Sequence, residues 1–183
     1  MNAPSPTLAR RIALAAAVCF ALALWPVRAR AQDEAPKPPK SISIQAHVIM
    51  ASKAKLPHVE DSLKEVAGLL QKNLAGLFNR FRLHRTVSGE IKLEKSDTLA
   101  LIDKYYLKVA YRGATWDAEK KEQKFQVTYT LVKRTQVVVD GVTKDKDEEI
   151  QPVMYTVAPG LFVLIAGPKV NEETLVLAVR IVK

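Results

Sequence analysis

The side chains that could do chemistry in this chain are three histidines, two serine–aspartate neighbours and several acidic runs. His58, Glu60 and Asp61 form the closest approach to a metal-ligand cluster. On a helix, residues two and three apart diverge by about 200° and 300°, so His58 and Asp61 share a face and Glu60 does not. Two ligands in one turn do not close a metal site. His47 and His84 stand apart from them in the sequence. Asp61-Ser62 and Ser96-Asp97 read as helix-start and turn residues, and the G-x-S-x-G elbow of a serine hydrolase is absent. Glu119, Glu122, Asp145, Asp147, Glu148 and Glu149 could supply paired carboxylates for glycoside chemistry. They are interleaved with lysines, the pattern of solvated loops. Neither a phosphate-binding G-x-x-x-x-G-K-S/T loop nor a dinucleotide fingerprint is present. The reading is therefore of a protein that is not an enzyme, with no assignable catalytic residue, metal or cofactor. A hydrolase with an unrecognised carboxylate site is the third-ranked alternative.

Residues suited to binding are easier to find. Tyr106, Lys108 and Arg112 fall on the outward side of an alternating stretch and could lie beside Gln126, Thr128 and Thr130 as a polar, slightly basic platform. The wet side of any antiparallel sheet looks much the same. Trp116 stands in a charged stretch, where an exposed indole makes an interface anchor. Arg80, Arg82, His84 and Arg85 form a basic cluster: if Arg80 to His84 is extended, three basic side chains line one face, and if helical they compensate a helix C-terminus. The apolar run holding Leu161, Val163, Leu164 and Ile165, and the run around Val176, are apolar on both faces. Such strands are central and covered, or they meet a partner. With only one helix available as cover, the expectation is a protein partner or self-association through Leu161, Val163, Leu164, Ile165 and Val176. An anionic envelope polymer or lipid head group would suit the arginines; nothing points to nucleic acid.

Several elements must position these residues. Arg10-Arg11, the apolar run Ile12 to Leu24 and Ala29-Arg30-Ala31 have the layout of a secretory signal peptide, residues 1–31. The 13-residue run is shorter than the roughly 20 residues a membrane-spanning helix needs. Cleavage near Ala31-Gln32 would leave a periplasmic or secreted chain without a transmembrane segment. It would also remove Cys19, the only cysteine, and four arginines from a formal net charge of +9. Disulfides and thiolate chemistry are then excluded from the trimmed chain. Gln32 to Lys40 carries Pro36, Pro38 and Pro39 among charges and reads as a flexible spacer, residues 32–40. Residues 41–183 form one globular domain.

Within it, Ser41 to Ala51 alternates with period two, a strand with one buried face. Val59, Leu63, Val66, Leu70, Leu74, Leu77 and Phe81 fall within an arc of about 80°, predicting one long helix over Pro57 to Phe81. The remainder reads as strands: Gly89 to Glu94, Thr98 to Ile102, Lys104 to Arg112, Phe125 to Val132, Val153 to Val157, Leu161 to Ala166 and Thr174 to Val182. Ala114 to Lys124 and Lys144 to Glu149 read as charged, solvated connections, and Asp140-Gly141 as a tight hairpin turn. The expected fold class is α+β in two layers: one long N-terminal helix on a mostly antiparallel sheet of about six to eight strands. The expected function is that of an exported, non-enzymatic interaction module of the bacterial cell envelope, acting through a sheet face or edge in a larger assembly. The rival is a periplasmic ligand-binding or inhibitor-like domain that takes an anionic small molecule or polymer between helix and sheet.

Overall fold

A computed structural model describes residues 35–182 of the chain; the expected signal peptide and the first residues of the spacer lie outside the described residues. The period-two stretch at Ser41 is strand β1 (Ser41–Ser52), and it sits in the middle of a sheet. After it come β2 (His58–Val59), a 3-10 turn (Asp61–Leu63), helix α1 (Lys64–Leu74), β3 (Arg80–Lys92), β4 (Ser96–Ile102), β5 (Tyr105–Asp117), β6 (Glu122–Val139), β7 (Val142–Val157), β8 (Val163–Val170) and β9 (Glu173–Val182). Two sheets result. One has the order β2-β3-β1-β9-β8 and the other β4-β5-β6-β7. Apart from the short parallel pair β2–β3, neighbouring strands run antiparallel.

The two sheets face each other. Ile42, Ile44, Ala46, Val48 and Met50 from β1 meet Leu107, Val109 and Tyr111 from β5 and Val127, Tyr129 and Leu131 from β6 in one apolar cluster. The opposite face of β1 turns Ile49 and Ala51 toward Leu63, Val66, Leu70 and Leu74 of the helical segment, with Val176 and Ala178 of β9 beside them. The layers are therefore helix, five-stranded sheet, four-stranded sheet. Period two along β1 serves both cores, because each face of the strand is covered in turn.

This corrects the α+β expectation. The described chain is mostly β, with 67% of its residues in strands, two sheets and one helical segment of 14 residues. The long helix over Pro57 to Phe81 does not form. His58 and Val59 pair with Arg80 and Phe81 instead, and the helical segment covers only Asp61 to Leu74. Its end has a local cause. The backbone N–H groups of Leu77 and Phe78 both donate to the Leu74 carbonyl, closing the last turn. Asn79 then ties the chain back to the end of β1, accepting from the Ala54 N–H at 2.7 Å and donating to the Ala54 carbonyl at 2.8 Å. Phe81 joins the core as a strand residue, and Leu77 is exposed. The apolar positions of the helix and of the following strand happened to fall on one arc of about 80°.

Other boundaries move for similar reasons. β5 and β6 continue through the charged stretch to a turn between Asp117 and Glu122. Lys144 to Glu149 is part of β7, paired with β6 although exposed to water. The Asp140-Gly141 turn does form, with φ of 52° and 76° at its two residues, the double positive φ of a type I′ hairpin. Beyond Lys133, where β5 ends its pairing, β6 and β7 run on together as a two-stranded ribbon to that turn.

Candidate binding surfaces

The outward row expected from β5 does lie beside β6. Tyr106 is opposite Val132, Lys108 opposite Thr130 and Ala110 opposite Thr128. β7 adds Glu149, Pro152 and Met154 in the next register positions. None of these outward residues joins either apolar cluster. The face is not a free basic platform, because its cations are matched. The Lys108 ammonium donates to the Glu149 carboxylate at 2.9 Å. Arg134 lies over the Tyr106 ring, 4.6 Å from its centre, and grips Asp147 with two hydrogen bonds of 2.7 and 3.0 Å. That fork holds the Asp147 carboxyl below its ordinary range and keeps Arg134 charged. Arg112 leaves the row. Tyr111 and Gly113 pair with Val127 and Gln126, so Arg112 is the extra residue of a bulge, exposed, with Gly113 at φ 143°. Past Arg134 the ribbon ends in exposed Val138, Val139 and Val142, and Ile150 and Met154 are exposed along β7.

Trp116 is half-buried at the far end of β5, away from Tyr106. It lines a groove of about 720 Å³ with Phe125, Gln123, Pro159, Arg180 and Pro36. Sequence reasoning singled out the indole and missed the groove, because Pro36, β5, β6 and the connection after β7 meet there only in three dimensions. Next to it Lys124 donates to Asp117 at 2.7 Å, which lowers the Asp117 carboxyl and raises the Lys124 ammonium.

Arg80 and Arg82 lie on β3 and are exposed. Of the four basic residues in that cluster, Arg82 pairs with Glu173 at 2.8 Å and Arg85 donates to the Ala100 carbonyl. His84 is the extra residue of a bulge, since Val48 and Ile49 pair with Arg85 and Leu83. They do not form one unpaired basic row.

The expected interface residues divide. Val176 is fully buried between sheet and helix and offers no surface. Val163, Leu164 and Ile165 lie on β8, an edge strand, and are half-buried. Leu164 packs toward the helix cluster and Ile165 toward the inter-sheet cluster. Leu161 is 61% exposed in the connection before β8. The missing cover inferred from sequence is the second sheet.

One cluster went unnoticed in the sequence. His47 stacks on Phe162 at 5.5 Å, and the Arg180 guanidinium lies over the same ring at 4.7 Å. Arg180 also pairs with Glu65 of α1 at 2.8 Å and donates to Gln45. The His47 Nδ1 shares a hydrogen bond with the Thr86 hydroxyl. Burial, and then the Arg180 charge, push the His47 ring below its ordinary range. The partners come from β1, β3, α1, β9 and the connection before β8, so no sequence spacing could show it.

Among the described residues no group of three or more His, Cys, Asp or Glu could hold a metal ion. The Tyr111 and Tyr129 hydroxyls are buried without a protein partner, and burial raises both above the ordinary phenol range. Both rings sit in the inter-sheet cluster. No helix of the described residues is long and apolar enough to cross a membrane. Compared with known protein families, with curated proteins and with solved structures, the chain matches none.

Proposed function

We propose that this protein is an exported, non-enzymatic binding module of the bacterial cell envelope, working through the outer face of its four-stranded sheet and the ribbon that extends it. The observation that carries the reading is the run along that face from exposed Met154, past half-buried Tyr106 and Arg134, to exposed Val138, with Thr130 and Val132 buried among them. Aromatic and apolar side chains there alternate with ion pairs that are already made. Such a surface can be desolvated by a protein partner without stranding a charge. The export half of the reading rests on the layout of residues 1–31.

Site-specific photocrosslinking in the native host tests it. A photoreactive residue at Met154 or Val138 should give a discrete protein adduct in the envelope fraction, and one at Glu90 on the five-stranded sheet should not. Tyr106→Ala should weaken the Met154 adduct. A protein retained in the cytoplasm, or adducts equal at all three positions, would sink the reading.

A further inference from the structure

One wall of the groove beside Trp116 is the chain's own extended segment, whose Pro36, Lys37 and Pro38 remain exposed. The Gln123 side-chain amide donates to the Pro36 and Lys37 carbonyls, at 3.3 Å each, and Pro36 lines the groove with Trp116. Those two residues begin the run Pro36-Lys37-Pro38-Pro39. A proline ring fixes its own φ and biases the preceding residue to extended backbone, so this segment loses little entropy when it is held. Its carbonyls project without competing N–H groups at the prolines. An amide donor beside an indole is the pairing that recognises such a segment, the carbonyls by hydrogen bond and the proline rings by an aromatic wall.

We propose that this groove is a docking site for an extended, proline-rich peptide segment of a partner protein, and that the Pro36–Pro39 segment, by engaging the Gln123 amide at its rim, acts in cis as a resident competitor. A tethered occupant acts at an effective concentration near millimolar, enough to mask a weak site until a better ligand arrives. The groove lies at the Trp116 end of β5, away from the Tyr106 face, and the proposal stands or falls independently of the reading given above.

The test uses the full chain with Trp25→Phe, which leaves Trp116 as the only tryptophan. A second form carries Pro36→Ser, Pro38→Ser and Pro39→Ser to release the cis occupant, and melting curves verify that both forms fold. The probe is the pentapeptide Pro-Lys-Pro-Pro-Lys, blocked at both ends, read by Trp116 emission. The released form should bind it saturably, the native-spacer form at least fivefold more weakly, and the released form with Gln123→Ala also at least fivefold more weakly. A peptide with serines for prolines should give no saturable change. The proposal is overturned if the released form shows no saturation, if the serine peptide binds equally, or if either fivefold difference is absent.

Discussion

Strands β9 and β7 make an instructive pair. Both are long, both border a single hairpin turn, and both alternate in part. β9 lies between β1 and β8, and Leu175, Val176, Leu177, Ala178 and Val179 are all buried. Its odd positions face the second sheet, and Val176 and Ala178 face the helix. β7 is an edge strand whose first half pairs only with β6, and every residue from Val142 to Ile150 is exposed. Its edge is blunted by charge, by Pro152 and by a bulge at Ile150 between the pairs Leu131–Gln151 and Val132–Glu149. These are the devices by which sheet edges avoid adventitious pairing. A strand apolar on both faces thus marks two covering layers. A strand carrying alternating charges can still be a strand when its partner supplies the hydrogen bonds.

The comparison predicts a large asymmetry in truncation. Leu177→Ala removes a fully buried side chain from the inter-sheet cluster and should cost about 3 kcal/mol. Met154→Ala on β7, 68% exposed, should stay within about 0.5 kcal/mol. Urea unfolding of the two variants measures both. Equal losses would mean that the outer face of the second sheet is a covered surface in solution.

Hydrogen exchange should draw the same contrast backbone group by backbone group. Amides of β9 should exchange only through global unfolding, and those of Thr135 to Val139 and Val142 to Glu149 through local opening of the ribbon. Protection of the ribbon equal to that of β9 would show that something holds its free side. Smaller again is Gly141→Ala. At φ 76° an added Cβ meets no neighbouring atom, so the penalty is backbone strain alone, about 1 kcal/mol. It should raise ribbon exchange and leave the global midpoint nearly unchanged; a cooperative loss of the whole fold would show the ribbon to be coupled to the core.

What the sequence disclosed follows from this contrast. Alternation in β1, β5 and β6 was readable because each buries a whole face. The Asp140-Gly141 turn was readable because its φ angles restrict residue type. The end of α1 was not, since Asn79 acts through Ala54, 25 residues away. Nor was the second sheet: Leu177 and Val176 report that two covers exist without reporting what they are. The surfaces were partly visible. Tyr106 and Lys108 were identified as outward, but Glu149, which neutralises Lys108, and Asp147, which grips the Arg134 lying over Tyr106, lay in a stretch read as loop. The groove around Trp116 and the His47 cluster depend on contacts between distant segments, and no local pattern encodes them.

The finest test lies where the outer face of β9 runs out of helix. Val176 and Ala178 are under α1, and two residues on, Arg180 meets Phe162, Glu65 and the neighbourhood of His47. Desolvation, with Arg180 adding to it and Glu65 opposing it, lowers the folded-state pKa of His47 below its ordinary value of 6.5. The unfolded chain therefore binds a proton more readily than the folded one. The His47 contribution to stability is complete above the unfolded value and is lost as pH falls through that value toward the depressed folded one. The group is only partly buried, so the effect is the smallest of those predicted. Melting temperature should decline as pH is lowered from 8 to 5.5, and His47→Gln, which retains a hydrogen-bonding group toward Thr86, should flatten that decline. Glu65→Gln removes the one nearby charge that favours the protonated ring, so it should steepen the decline. If the two variants change the slope in the same direction, the titrating group lies elsewhere, and the junction of helix and sheet over β9 is electrostatically silent.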